Sequence, residues 1–166
     1  MIIHIYDDDL LNGEGIREVI FLQGCPHCCK GCFNPETWKH IPDTRESIEQ
    51  DYIYYKHLYK KLSLNYISGI TITGGDPFYE KNIKQLEDLI NLAKSKNKTI
   101  WVYTGYTYEY LLKTYPNILN NINVLCDGEF IEELKSPEKP WVGSSNQRVI
   151  DIQKSLNQNN IVLYDN

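Results

Sequence analysis

The sequence predicts an α/β protein built as an incomplete, laterally open (β/α) barrel with a mostly parallel sheet. Strand-like and helix-like segments alternate along the chain, which favours parallel strands joined by right-handed crossovers. The chain has 166 residues, whereas a closed eight-unit barrel needs about 250. The cysteine-rich and glycine-bearing segments also fall just after predicted strands, where parallel α/β folds bind ligands.

The first strand is expected over residues 16–22, where β-branched and aromatic residues lead into Val19-Ile20-Phe21-Leu22. A helix over 44–62 follows from Ile48, Tyr52, Tyr55, Leu58, Tyr59 and Leu62 at helical spacing, with Thr44 as its N-cap. Residues 66–73 read as the second strand. An amphipathic helix over 79–96 then carries Ile83, Leu86, Leu89, Ile90 and Ala93 on one face. A third strand covers 99–104, a shorter helix 108–115 and a fourth strand 122–126; β-like runs recur at 148–152 and 161–164. Four segments can therefore share one site: the cysteines, Gly74-Gly75-Asp76-Pro77, Gly105-Tyr106 and Asp127-Gly128.

Composition narrows the function. A hydrophobic fraction of 42% and the absence of any repeat or linker point to a single domain over residues 1–166. The formal charge of -5 gives no reason to expect nucleic acid or anionic lipid as a partner. No stretch approaches the roughly 20 apolar residues of a membrane span. The N-terminus runs quickly into Asp7, Asp8 and Asp9, unlike a signal peptide, so a cytoplasmic location is expected.

Four of the five cysteines crowd between positions 25 and 32, too close together for a useful disulfide framework. In a reducing compartment this suggests a metal. Two C-x-x-C pairs could hold zinc, but zinc knuckles are normally separated by about 12 to 20 residues, and here nothing separates them. Alternatively, Cys25, Cys29 and Cys32 form a C-x3-C-x2-C set of thiolates for a cubane cluster, leaving its fourth iron open to a chelating ligand. Cys28 then stands outside the set, and Cys126 reads as a small buried hydrophobe. His4, His27, His40 and His57 read as surface or packing residues. Paired glycines in Thr73-Gly74-Gly75-Asp76-Pro77 permit close approach of a ligand to the backbone.

The cysteine spacing together with the glycine loop resembles the radical S-adenosylmethionine family. That resemblance implies a [4Fe-4S] cluster on Cys25, Cys29 and Cys32 and S-adenosyl-L-methionine as cofactor, cleaved to a 5'-deoxyadenosyl radical. It further implies that Gly74, Gly75 and Asp76 receive the methionyl amino group, with Asp76 where Glu is commoner. Gly31, Cys32 and Phe33 would line the adenosyl side. Asn12-Gly13-Glu14-Gly15-Ile16-Arg17 is similar to a segment of glycyl-radical activating enzymes. Asn34 to Trp38, Trp101 to Tyr106 and Trp141 to Arg148 resemble the activating components of anaerobic ribonucleoside-triphosphate reductases, although Val142 replaces a residue that is usually basic.

The implied function is installation of a glycyl radical on the large anaerobic ribonucleoside-triphosphate reductase subunit. A low-potential donor such as flavodoxin or ferredoxin would supply the electron. Two alternatives stand beside it. A radical enzyme similar to carboxy-deazaguanine synthase would need a polar pocket for a small molecule, and no basic cluster on the strand-end loops provides one. A non-catalytic metal-binding module would hold zinc and turn nothing over.

Overall fold

The computed structural model describes residues 1–165. Its centre is one open six-stranded sheet in the order β1-β2-β3-β4-β5-β6. The inner strands β2 (Arg17–Leu22), β3 (Gly69–Gly74), β4 (Thr99–Tyr103) and β5 (Val124–Asp127) run parallel. The edges do not: β1 (Ile2–Asp9) and β6 (Arg148–Asp151) each pair antiparallel with their neighbour. The sheet is thus mixed and mostly parallel, and it does not close.

Between parallel strands the chain returns through helices: α1 (Arg45–Lys61), α2 (Ile83–Ser95), and the short pair α3 (Tyr108–Thr114) and α4 (Pro116–Leu119). The last helix, α5 (Ile152–Gln158), starts directly after β6. Thr44 caps α1 as expected, accepting from the Ser47 N–H while Ser47 Oγ accepts from the Thr44 N–H. Alternate residues of each strand face opposite sides. Ile20, Leu22, Ile70, Ile72, Ile100, Val102, Leu125 and Ile150 pack in the larger core with helix residues such as Leu58, Leu86 and Leu89. Trp101, Val124, Cys126 and Val149 form a second cluster, covered by Trp141, Val142 and Tyr164.

The strand β1 is absent from the expectation, because its acidic end obscures the alternation in Ile2 to Tyr6. Residues 161–164 make only an isolated bridge, Ile150 to Leu163. Ile152 begins a helix because the Asp151 carboxylate accepts the Lys154 N–H and caps it.

Candidate functional site

The loop after β2 is held on both flanks before it reaches the cysteines. Gly24 N donates to Thr37 O at 2.7 Å and Cys25 N to Trp38 O at 3.0 Å. On the other side Gly75 N donates to Leu22 O at 2.7 Å and Asp76 N to Gly24 O at 2.8 Å, so the cysteine and glycine loops share backbone bonds. Buried Asn82 ties both again, donating to Gln23 O and Asp76 O at 2.8 Å each. This approach needs glycine: a Cβ on Gly75 would lie 2.4 Å from Gly24 O, and Gly74 adopts φ +94°.

Cys25, Cys29 and Cys32 line one cleft of about 680 Å³, together with Phe33, Gly74, Gly75 and Asp76. Cys28 is exposed and stands outside that lining. The turn that sorts the sulfurs is local: Cys28 takes φ +49°, Gly31 takes φ +72°, and Cys32 N donates to Cys29 O at 3.1 Å. Gly31 lies outside the cleft lining, with its Cα turned to Glu132, whose Oε1 would sit 2.7 Å from an added Cβ. Burial pushes the Cys25 thiol up to about 11 and raises Cys29 as well. A metal must therefore displace their protons.

Three thiols on one cleft fit an iron–sulfur cluster better than a single zinc ion. A tetrahedral ion with Zn–S of about 2.3 Å needs its sulfurs about 3.8 Å apart. Among the described residues, the group of three donors mutually within 4.8 Å is instead Asp7, Glu18 and His57. There Lys61 Nζ already lies 2.8 Å from Asp8 Oδ2 and 3.4 Å from Glu18 Oε1, and His57 Nε2 lies 2.7 Å from Asp7 Oδ1. That cluster fastens β1 to β2 and α1.

Two residues of this region are held in one polar network. The Asp76 carboxylate is buried and accepts from Phe78 N, Thr104 Oγ1 and Gly105 N, and meets His27 Nε2 at 2.8 Å. Those partners use the roughly four acceptor positions of a carboxylate. His27, expected to be a surface or packing residue, has both ring nitrogens engaged, its Nδ1 lying 3.0 Å from Glu129 Oε1. Burial opposes its charge, but Asp76 and Glu129 outweigh that and raise its pKa.

The Gly143 to Arg148 run builds a wall of the cleft. Gln147 Oε1 accepts from Gly143 N and Ser144 N, and Gln147 Nε2 donates to Gly128 O. Arg148 reaches back to Asp127 and Glu109, so the loop after β5 is braced from within the chain. Gly143 leaves room for the Phe33 and Phe130 rings, whose centroids are 5.3 Å apart. Composition hid Asn82 and Gln147, whose partners on Gln23 and Gly128 lie 59 and 19 residues away.

The family model for a 4Fe-4S single cluster domain matches residues 11–150. The chain is 37% identical over 147 residues to the anaerobic ribonucleoside-triphosphate reductase-activating protein of Enterobacteria phage T4, covering 87% of this chain and 90% of that protein. The protein of the same name from Escherichia coli strain K12 is 36% identical over 151 residues, covering 87% and 94%. Its counterpart from Haemophilus influenzae is 36% identical over 146 residues, covering 86% and 92%.

Proposed function

The chain belongs to the family of anaerobic ribonucleoside-triphosphate reductase-activating proteins, and from that membership we propose that it is a radical S-adenosylmethionine oxidoreductase that installs a glycyl radical on the large reductase subunit. The observation that carries this reading is the sorting of sulfurs: three thiols on one cleft beside the glycine loop, and the fourth, Cys28, outside it. Cys25, Cys29 and Cys32 would hold a [4Fe-4S] cluster. When bound, cluster and S-adenosylmethionine together supply a 5'-deoxyadenosyl radical able to take a hydrogen from a glycine Cα.

The chain's own residues do the rest. The backbone around Gly74 and Gly75 receives the methionyl group, since the Asp76 carboxylate is committed to its own loops. Phe33, backed by Phe130, offers an aromatic face to the adenosyl side, and Cys32 precedes it directly in the chain. The sheet stays open, and we read it as the incomplete barrel of the radical family, working as a single domain. Such an opening admits a loop from a bulky partner, and glycine suits it because no side chain blocks its Cα. No helix among the described residues is long and apolar enough to cross a membrane. A reducing cytoplasm would keep the thiols ready for iron, and flavodoxin or ferredoxin would deliver the electron.

The test is anaerobic reconstitution followed by three measurements. Iron and sulfide should approach one cubane per chain. Reduction with S-adenosylmethionine should release 5'-deoxyadenosine. Adding the cognate reductase should give an electron paramagnetic resonance doublet that changes when the glycine is deuterated at Cα. A loaded protein that cleaves the cofactor yet produces no radical on a competent reductase would refute the activating role.

A further inference from the structure

We infer that His27 is a positioning residue, the link that holds the cysteine turn in register with the glycine loop. The inference rests on the reading that these two loops share S-adenosylmethionine. His27 lies between Cys25 and Cys28, and its side chain is 9% exposed. Its Nε2 meets Asp76 after β3 at 2.8 Å, and its Nδ1 meets Glu129 after β5 at 3.0 Å. Its ring stands edge-on to Tyr106, after β4, with centroids 4.6 Å apart. One imidazole thus touches all three of the other strand-end loops.

The surroundings are shaped for it. A Cβ on Gly105 would lie 2.6 Å from His27 Cδ2, so Gly105 leaves the space in which the ring sits. The partner carboxylate is fixed before His27 reaches it, through Phe78 N, Thr104 Oγ1 and Gly105 N. A donor held by a buried, multiply bonded carboxylate has little freedom to drift.

Position along the loop decides what His27 controls. The backbone bonds of Gly24, Cys25 and Asp76 secure the chain up to the first cysteine. Beyond it, the Lys30 side chain reaches only the exposed pair Glu132 and Glu133, and such surface pairs hold weakly. Without His27 the segment 26–31 would keep its thiols but lose its fixed distance from Gly74 and Gly75. Iron should still assemble, while the geometry between cluster and cofactor loosens. Misplacement of about 1 Å can cost on the order of a hundredfold in rate.

The experiment compares wild type, His27→Leu, His27→Gln, Asp76→Asn and the double variant His27→Leu/Asp76→Asn. Hydrogen exchange on the iron-free proteins should rise over residues 26–31 in His27→Leu, and this arm does not depend on the cofactor. After reconstitution His27→Leu should match wild type in iron and sulfide. The S-adenosylmethionine concentration that half-converts the reduced-cluster resonance spectrum should rise about tenfold, and kcat for 5'-deoxyadenosine release should fall about tenfold. His27→Gln, which keeps an N–H for Asp76, should recover part of both. The double variant should fall no further than Asp76→Asn. Wild-type exchange and titration in His27→Leu, multiplicative losses in the double variant, or loss of iron in His27→Leu would each overturn the inference. A wild-type protein whose spectrum ignores S-adenosylmethionine would instead refute the cofactor reading, and the inference with it.

Discussion

The two ends of the parallel strands treat their polar groups in opposite ways. At the amino end, Arg17 is 1% exposed and spends its five N–H donors on Thr71 Oγ1, Glu14 O, Ile70 O and the Thr99 hydroxyl and carbonyl oxygens. Its guanidinium also lies 5.4 Å from the centroid of Trp101. At the carboxyl end, three thiols face a cleft of about 680 Å³. At the first end the arginine's donors are all spent within the chain. The second is shaped by the chain but has donor atoms directed at something else, and that difference separates structural from functional polarity in this molecule.

The largest effect should come from deleting what the open end offers. Cys25→Ala, Cys29→Ala or Cys32→Ala should abolish both stable iron loading and cofactor cleavage, whereas Cys28→Ala should load fully. Iron loss in Cys28→Ala with retention in Cys29→Ala would reverse the assignment. Breaking the closed end should look different: Arg17→Met strands several buried acceptors and should cost about 3 to 5 kcal/mol of stability. Chemical denaturation measures the loss, and the iron content of the protein that remains folded should not change.

The next effect falls on one glycine that both loops share. The added Cβ of Gly75→Val meets the Gly24 backbone directly before Cys25, so it should disturb the cysteine loop as well as the cofactor. Overpacking of this kind costs about 1 to 3 kcal/mol. Iron content and cofactor affinity should fall together, and full iron with weak cofactor binding would mean that the two loops move independently.

The smallest effect concerns Glu18, beside Arg17 but on the helix side of β2. Burial, then the neighbouring Asp7, push its carboxyl up to about 7, against the pull of Lys61. The folded chain therefore holds this proton more tightly than the unfolded chain does. The associated stability is present below about 4.5, the ordinary carboxyl value, and is lost as pH rises through about 7. Glu18→Gln should remove that dependence, gaining about 1 to 2 kcal/mol relative to wild type between pH 5 and pH 8. Parallel pH profiles of thermal or urea unfolding would contradict it.

What could be read from the sequence follows from how local each feature is. The cysteine triad and the glycine pair are compact patterns whose residue types state their chemistry, so they stand out at once. The inner strands and α2, which buries Leu86, Leu89, Ile90 and Ala93, were legible for the same reason; for α1 the extent was legible but not the face, since Leu58 is buried while Ile48, Tyr52 and Tyr59 lie exposed. The direction of β6 was not, because antiparallel pairing at an edge depends on what the chain meets across the sheet. Nor was the employment of His27 and Asn82, whose partners lie 49 and 59 residues away. A polar residue that works through distant contacts looks idle in its own neighbourhood. Gln147 shows the same thing: in the sequence it belongs to a polar loop, while in the fold it is the brace of a wall.

The backbone bonds around the cysteine loop also bear on how the protein would survive exposure to air. Gly24, Cys25, Gly75 and Asp76 are fixed by main-chain bonds that involve no sulfur, and the turn at Cys29 to Cys32 closes on itself. Oxidative destruction of a cluster would thus remove the inorganic part and leave its mould standing. Repair would then require iron, sulfide and reduced thiols, with no refolding of the chain around them.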